Sequence, residues 1–147
     1  MKYSVGSAGR VVTARLEDGE AIYSSIEKIA QQEHIDCGIV RIIGGMQNGA
    51  VVVGPKDQLS VPFETMVETF TDAHEILGIG TLFLNSENKP MLHMHAGMGR
   101  GTSPLIGCPR KGADCWLVDE VVILELTGIS ARRIKQATTN LELLEIG

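Results

Sequence analysis

The residues of this 147-residue chain whose types and spacing suggest metal chemistry are His93, His95 and Cys108. Side chains two positions apart on a β-strand point to the same face of a sheet, with their Cβ atoms roughly 6–7 Å apart. Both imidazoles can therefore reach one ion, and Cys108 can add a thiolate after the chain turns through a glycine-rich segment. Three protein ligands with an open fourth position are typical of a reactive zinc site. We therefore expect Zn²⁺, or another divalent transition metal, at these residues.

Each of these residues also has an ordinary structural interpretation. A His-x-His pair on a strand is often a surface or core pair without a metal, and a lone cysteine is more often a small buried hydrophobe than a ligand. Packing explains Cys37 and Cys115 well, because each lies at the start of an apolar segment. His74 is expected to face solvent, with membership of the metal site as the alternative.

Two further residues, Glu75 and Arg41, are candidates for a catalytic role. Glu75 opens an apolar segment, where a carboxylate can orient a ligand histidine or act as a base, although an exposed strand end explains it equally well. Arg41 interrupts an apolar segment and should be paired, with Glu75 or with an anionic ligand beside the metal; a subunit contact is the alternative. The glycine-rich residues 97–102 are expected to form a flexible loop over the site or a simple connection.

Composition favours a soluble cytoplasmic domain spanning residues 1–147. The chain is 44% hydrophobic and carries a formal net charge of -5, with basic residues adjacent only at Arg110-Lys111 and Arg132-Arg133. An acidic chain is a poor candidate for binding DNA through phosphate neutralisation. Three cysteines, an odd number, fit a reducing compartment. No signal peptide or membrane segment is expected, since no apolar segment reaches the required length.

Hydrophobic periodicity predicts an α+β fold with a mostly antiparallel or mixed sheet and one main helix packed on it. Apolar residues recur at helical spacing within residues 20–32. A bend is expected at Gly44-Gly45, a hairpin turn at 85–88, and residues 132–146 fit either a strand or a short helix. The segments with strand character are 10–17, 37–43, 50–53, 63–70, 75–84, 90–98 and 115–126.

The order of these segments resembles the plants and prokaryotes conserved (PPC) domain family, in its stand-alone prokaryotic form. The resemblance covers nearly the whole chain and is carried by order and spacing rather than by any single motif. The segments concerned are RLEDGE at 15–20, GIVRIIG at 38–44, HEILGIG at 74–80, HMHA at 93–96 and EVVI at 120–123.

This resemblance implies a specific ligand set and assembly. Prokaryotic members have a Gly-Gly-His motif whose histidine completes a three-histidine metal site, and the ungapped count places Gly107-Cys108 there. The resemblance also implies a homotrimer and a description as DNA-binding, although the chain has no AT-hook. The alternatives are a small metal-dependent enzyme, a small-molecule-binding protein that uses the open metal position, and a structural trimer whose site is vestigial.

Overall fold

One helix and ten strands form the described chain, residues 1–110 and 112–147, in the computed structural model. In chain order they are β1 (Ser7–Glu17), α1 (Ile22–Gln32), β2 (Cys37–Gln47), β3 (Gly49–Pro55), β4 (Thr65–Phe70), β5 (His74–Leu84), β6 (Pro90–Arg100), β7 (Ser103–Pro109), β8 (Asp114–Thr127), β9 (Ala131–Lys135) and β10 (Glu142–Ile146).

Eight of the strands form one antiparallel sheet in the order β1-β8-β2-β5-β6-β7-β3-β4, and β9 and β10 form a separate hairpin. The hairpin packs beside the end of β5, where Asn85 makes an isolated parallel bridge to Arg133. The predicted fold class, a single α+β domain with a mostly antiparallel sheet and one helix, is confirmed.

The helix forms where the apolar spacing predicts it. Ile22, Ile26 and Ala30 recur every four residues and are completely buried, so one stripe of α1 packs on the inner face of the sheet. The helix ends as His34 adopts a left-handed conformation with φ of 54°. The Ile35 amide then donates to the Ala30 carbonyl at 2.8 Å. Within the described residues, no helix is long and apolar enough to cross a membrane.

The two faces of the large sheet differ in cover. The inner face carries Val40, Ile42, Met94, Val121 and Ile123, all of which are buried against the helix and its surroundings. Alternation places the next residues along each strand on the outer face. This outer face exposes large apolar side chains on four neighbouring strands and on β7, which follows β6 along the sheet: Val11, Ile43, Leu77, Ile79, Ile106 and Val122.

The two glycine-rich segments are part of the sheet: the bend expected at Gly44-Gly45 falls at an irregularity inside a strand, and of the two alternatives for residues 97–102 the loop over the site is wrong. At Gly44-Gly45 strand β2 continues to Gln47 through a register shift against β8, because Gly44 adopts a φ of 148° that a side chain would disfavour. Residues 97–102 do not form a loop over the site. Strand β6 extends to Arg100, and a tight turn with Gly101 at φ 60° leads directly into β7. The ambiguous tail forms the β9–β10 hairpin.

Candidate metal centre

His93 and His95 lie on β6 and project from the outer face of the sheet. In the register of β5 and β6, His93 is opposite Thr81 and His95 is opposite Ile79. The two imidazole rings meet edge to face, with centroids 5.1 Å apart and planes at 81°. The alternation predicted from the sequence thus places both rings side by side.

Cys108 reaches the two histidines from the neighbouring strand. It lies on β7, one residue beyond the Ala96–Gly107 pair, and is opposite Val52 of β3. A side chain at Gly107 would collide with the backbone of Val52, so glycine is required for β3 to approach here. The possible ligand atoms of His93, His95 and Cys108 all lie within 4.8 Å of one another.

This donor set suits a tetrahedral zinc ion. Zinc bonds of normal length separate neighbouring nitrogen and sulfur ligands by about 3.3–3.6 Å. Rotation of the side chains is therefore enough to bring the three atoms from their present separation around one ion. Two imidazoles and a thiolate leave one of the four zinc positions open.

The surroundings favour the neutral form of both ligand types. Burial lowers the pKa of His93, and the positive charges of Arg133, His95 and Arg110 add to that effect. Burial raises the pKa of Cys108, while Arg110 and Arg133 oppose the rise. A neutral imidazole is ready to bind a metal, whereas the thiol must release its proton on binding.

A cleft of about 980 Å³ opens over the cluster between β6, β7 and the β9–β10 hairpin. Three cationic side chains line this cleft, namely Arg110, Arg133 and Lys135. Glu142 is the acidic side chain in the described part of its lining. The cleft is therefore basic although the whole chain is acidic, which the scattered positions of these residues in the sequence do not reveal.

Tyr23 ties the helix to the floor of the cleft. Its hydroxyl donates to the Pro109 carbonyl at 2.7 Å, directly after Cys108, and lies 3.5 Å from the Met94 carbonyl between the two histidines. Burial is the main cause of its raised pKa. Tyr23 is thus a positioning residue that joins α1, β6 and β7.

Arg133 is the residue of this cleft that sequence analysis misses. Its side chain is 4% exposed, and its Nη2 donates to the Thr81 hydroxyl at 2.7 Å. Its Nε is buried with no acceptor in the described structure. The guanidinium lies 5.9 Å from the centre of the Phe83 ring. The adjacent pair Arg132-Arg133 was the only sequence signal, and it does not indicate which arginine is buried.

Neither of the other sequence-based candidates, Glu75 and Arg41, lines the cleft over the cluster, although Arg41 lies in the same cross-strand row as His95, two strands away. Glu75 is opposite Gly45 and Gly99, four residues along β5 from the partner of His95, which is about 13 Å. Arg41 is exposed on β2 and opposite Ile79, with no ion pair to Glu75 in the described structure. The expected Arg41–Glu75 pairing is therefore absent there.

His74 also lies outside the cluster. Its Nδ1 is 2.9 Å from the Asp72 carbonyl, and its ring packs against Phe70 with centroids 4.8 Å apart. His74 was expected to face solvent; it is half-buried, and the alternative of joining the metal ligands is not found among the described residues.

The fold and the His-His-Cys cluster define a small α+β domain with a candidate metal centre on the outer face of its sheet. Residues 3–127 match the model of the Plants and Prokaryotes Conserved (PCC) domain, the family also abbreviated PPC. The chain belongs to this family, as its motifs predict.

Solved structures show the same fold. A metal-containing protein from Archaeoglobus fulgidus is 20% identical with a TM-score of 0.84, and the match covers 99% of each chain. A PPC protein from Pyrococcus horikoshii is 24% identical with a TM-score of 0.82, over 96% of this chain and 94% of that one. A Ralstonia eutropha protein, for which DNA binding has been proposed, is 16% identical with a TM-score of 0.69, over 92% of this chain and 90% of that one. No curated protein matches the chain.

Proposed function

We propose that this protein is a homo-oligomeric metal-binding protein that holds a divalent transition metal, zinc, at His93, His95 and Cys108. The observation that carries the proposal is the convergence of three ligand atoms within 4.8 Å of one another, from two adjacent strands, in a basic cleft. The similar Archaeoglobus fulgidus protein is described as metal-containing, which supports a metal in this fold. The open coordination position would face the cleft.

Elemental analysis of purified protein tests the ligand set. We expect about one zinc ion per chain in the wild type, with a strong loss in His95→Ala and in Cys108→Ala. His74→Ala and Cys37→Ala are matched controls, because both lie outside the cluster and should keep the metal. Unchanged metal content in Cys108→Ala would remove this cysteine from the ligands. The proposal would be refuted if the wild-type protein is purified without metal and binds no zinc when zinc is added.

The uncovered outer face supports assembly with further copies of the chain, which we propose to be a homotrimer. Leu77 and Ile79 are 63% and 62% exposed at the middle of the sheet, which is unusual for isolated monomers when such residues are contiguous. Arg41 lies among them without a described partner, so a subunit contact is its proposed role. His95 is next to Ile79 on the same face, which would place the metal centre at the edge of the interface.

Light scattering coupled to size-exclusion chromatography tests the assembly. We expect the mass of a trimer for the wild type and of a monomer for Ile79→Asp, since a charge on the buried interface is not tolerated. Leu59→Asp is the control, because Leu59 is a leucine of comparable exposure that belongs to none of the strands carrying the exposed apolar face. A monomeric wild type would refute the proposal.

The alternative function, DNA binding, has weaker support. The net charge of -5 opposes contact with phosphates, and the basic side chains identified at the site line one cleft rather than a broad surface. A titration with duplex DNA at low salt separates the alternatives, because phosphate-mediated binding must be present there and weaken steeply as salt increases.

We propose the cytoplasm as the location, since the three cysteines are unpaired.

A metal-dependent enzyme or a small-molecule-binding protein is the second candidate, and the cleft favours it. A cavity of about 980 Å³ is in the range of small-molecule sites and lies directly over the proposed metal. Neither Glu75 nor Arg41 lines it, so these two are not proposed as catalytic residues. Ligand binding to this cleft is developed in the next subsection.

A further inference from the structure

We propose that Arg133, together with Arg110, forms a subsite for an oxyanion, the carboxylate or phosphate group of a small molecule whose other end faces the open metal position. The subsite extends the proposed function and depends on it only for the metal ion that the ligand would face. Arg133 lies on β9, which is outside residues 3–127 that match the family model.

The first argument is that Arg133 is a buried charge with no carboxylate in ion-pair contact, although the charge of Glu142 in the same cleft acts on it from farther away. It is 4% exposed, and it forms no ion pair with any carboxylate in the described structure. An arginine cannot lose its proton to escape this situation, and a buried uncompensated charge is costly. Nη2 is held by Thr81, so the guanidinium is fixed in place while its charge remains available to a ligand.

The second argument is the composition of the cleft around it. Arg110, Arg133 and Lys135 line the cleft, whereas Glu142 alone supplies a negative charge in the described lining. Both arginines are close enough to His93 and Cys108 to influence them electrostatically. A metal ion with one thiolate ligand would add further positive charge, so the whole cleft attracts anions.

The third argument concerns geometry. A guanidinium presents its donors in a planar fork that matches the oxygens of a carboxylate or phosphate. Arg133 lies on the hairpin side of the cleft, while Arg110 follows Pro109 and is anchored through its amide, which donates to the Ala50 carbonyl at 2.8 Å. Both arginines line the one cleft that opens over His93, His95 and Cys108, so a small anion bound in this cleft lies in reach of their charges and of the open metal position.

Isothermal titration calorimetry at constant ionic strength, maintained with sodium chloride, tests the subsite. Inorganic phosphate and malonate are the two probes, each titrated into zinc-loaded and into chelator-treated protein. We expect at least one probe to bind with about one site per chain. In Arg133→Gln and in Arg110→Gln the affinity should fall at least about tenfold, since each removes a charged hydrogen bond. The probe that binds more tightly distinguishes a phosphate ligand from a carboxylate ligand.

Arg132→Gln is the matched control. It removes the same charge one residue away, but Arg132 is exposed and binds Asn88 at 2.7 Å on the other side of β9. The affinity of Arg132→Gln for phosphate and for malonate should equal that of the wild type. Arg110→Gln, at an exposed position, carries the test if Arg133→Gln does not fold. Absence of binding by both probes, equal weakening in Arg132→Gln, or wild-type affinity in Arg110→Gln and any folded Arg133→Gln would overturn the subsite.

The two proposals fail in different ways. Protein that binds zinc but neither probe overturns the subsite and leaves the proposed metal function intact. Protein that binds a probe but no zinc overturns the metal function and supports the anion subsite by itself. Nuclear magnetic resonance of the arginine Nε–Hε groups gives a readout independent of zinc, because the Arg133 signal should shift on binding and the Arg132 signal should not.

Discussion

Arg133 and Asp119 are the two charged residues that the described chain buries, and they differ in how the burial can be relieved. Arg133 is 4% exposed and lines the cleft, whereas Asp119 is fully buried on β8. Both have buried polar atoms without a hydrogen bond of ordinary geometry. A buried charged group with unsatisfied polar atoms therefore occurs twice, once beside a cleft that opens to solvent and once in the core.

The chemistry of the two side chains separates them. Burial raises the pKa of Asp119 from 3.8 to about 6, although the nearby Cys115 thiol and Gly45 amide hold it below the value that burial alone would give. Asp119 can therefore become neutral by binding a proton at mildly acidic pH. A guanidinium keeps its charge at every physiological pH. A buried arginine that lines a cleft therefore indicates an anionic ligand, whereas a buried aspartate in the core indicates that the side chain binds a proton as the pH falls.

The largest effect that we predict is the pH dependence due to Asp119. Because its folded pKa is above its unfolded pKa, the folded state binds the proton more tightly, and stability falls as the pH rises from about 4 to about 6. A shift from 3.8 to about 6 corresponds to about 3 kcal/mol of lost stability at neutral pH. The difference in unfolding free energy between Asp119→Asn and wild type should change by about this amount between about pH 4 and pH 7.

Urea denaturation at several pH values measures this difference. Asp114→Asn, on the same strand, is the control, and its difference from wild type should change less. A difference for Asp119→Asn that is independent of pH would show that this carboxyl group is not the cause.

Arg133→Met provides the contrasting measurement in the cleft. Replacing a buried charge by an apolar side chain of similar length is often neutral or stabilising. In chloride buffer at neutral pH without phosphate or carboxylates, we expect the free energy of unfolding to rise by about 1 kcal/mol. Arg132→Met should stay within about 0.5 kcal/mol of wild type. A large destabilisation by Arg133→Met alone would mean that the Thr81 and Phe83 contacts outweigh the unpaired charge.

Sequence patterns predict well what depends on neighbours along the chain. The alternation of β6 places His93 and His95 on one face, and the helical spacing of Ile22, Ile26 and Ala30 defines the face of α1 that is buried. Cys108 is a candidate ligand from the sequence alone, but its place beside the histidines follows only from the family resemblance, because strand pairing between β6 and β7 is not visible in local sequence.

What the sequence does not predict depends on contacts between distant segments. Arg133 approaches His93 only because the β9–β10 hairpin packs against the end of β5, and residues 132–146 fit two kinds of element equally well. Glu75 opens an apolar segment and Arg41 interrupts one, and such patterns reveal a strand but not its register. The register places Glu75 about 13 Å along β5 from the partner of His95.

A smaller effect is expected from Cys115→Ala, which acts on Asp119 through its neighbour. The thiol of Cys115 favours the charged form of Asp119, so its removal should raise the pKa of Asp119 further. The pH range in which stability falls should therefore move upward, by less than about one pH unit. Urea denaturation at several pH values measures the free energy of unfolding and so detects the shift of the pH at which half of the loss has occurred. Cys37→Ala is the control, and a downward shift in Cys115→Ala would contradict this account of Asp119.

The smallest effect, and one of opposite sign, is expected from Glu125 on the surface. Arg10 binds this carboxylate through its Nε at 2.8 Å, and that contact lowers the pKa of Glu125 from 4.5 to about 2. A depressed folded pKa means that the stabilisation is present above the unfolded pKa and is lost as the pH falls from about 4.5 to about 2. Glu125→Gln should remove this acid-side loss. The effect is small because water screens the exposed partner, and Arg10→Gln should reproduce it. If the wild type and both variants lose stability equally over that range, the Arg10–Glu125 pair does not contribute to the acid-side loss, which Asp119 cannot explain either, because its raised pKa favours the folded state at acidic pH.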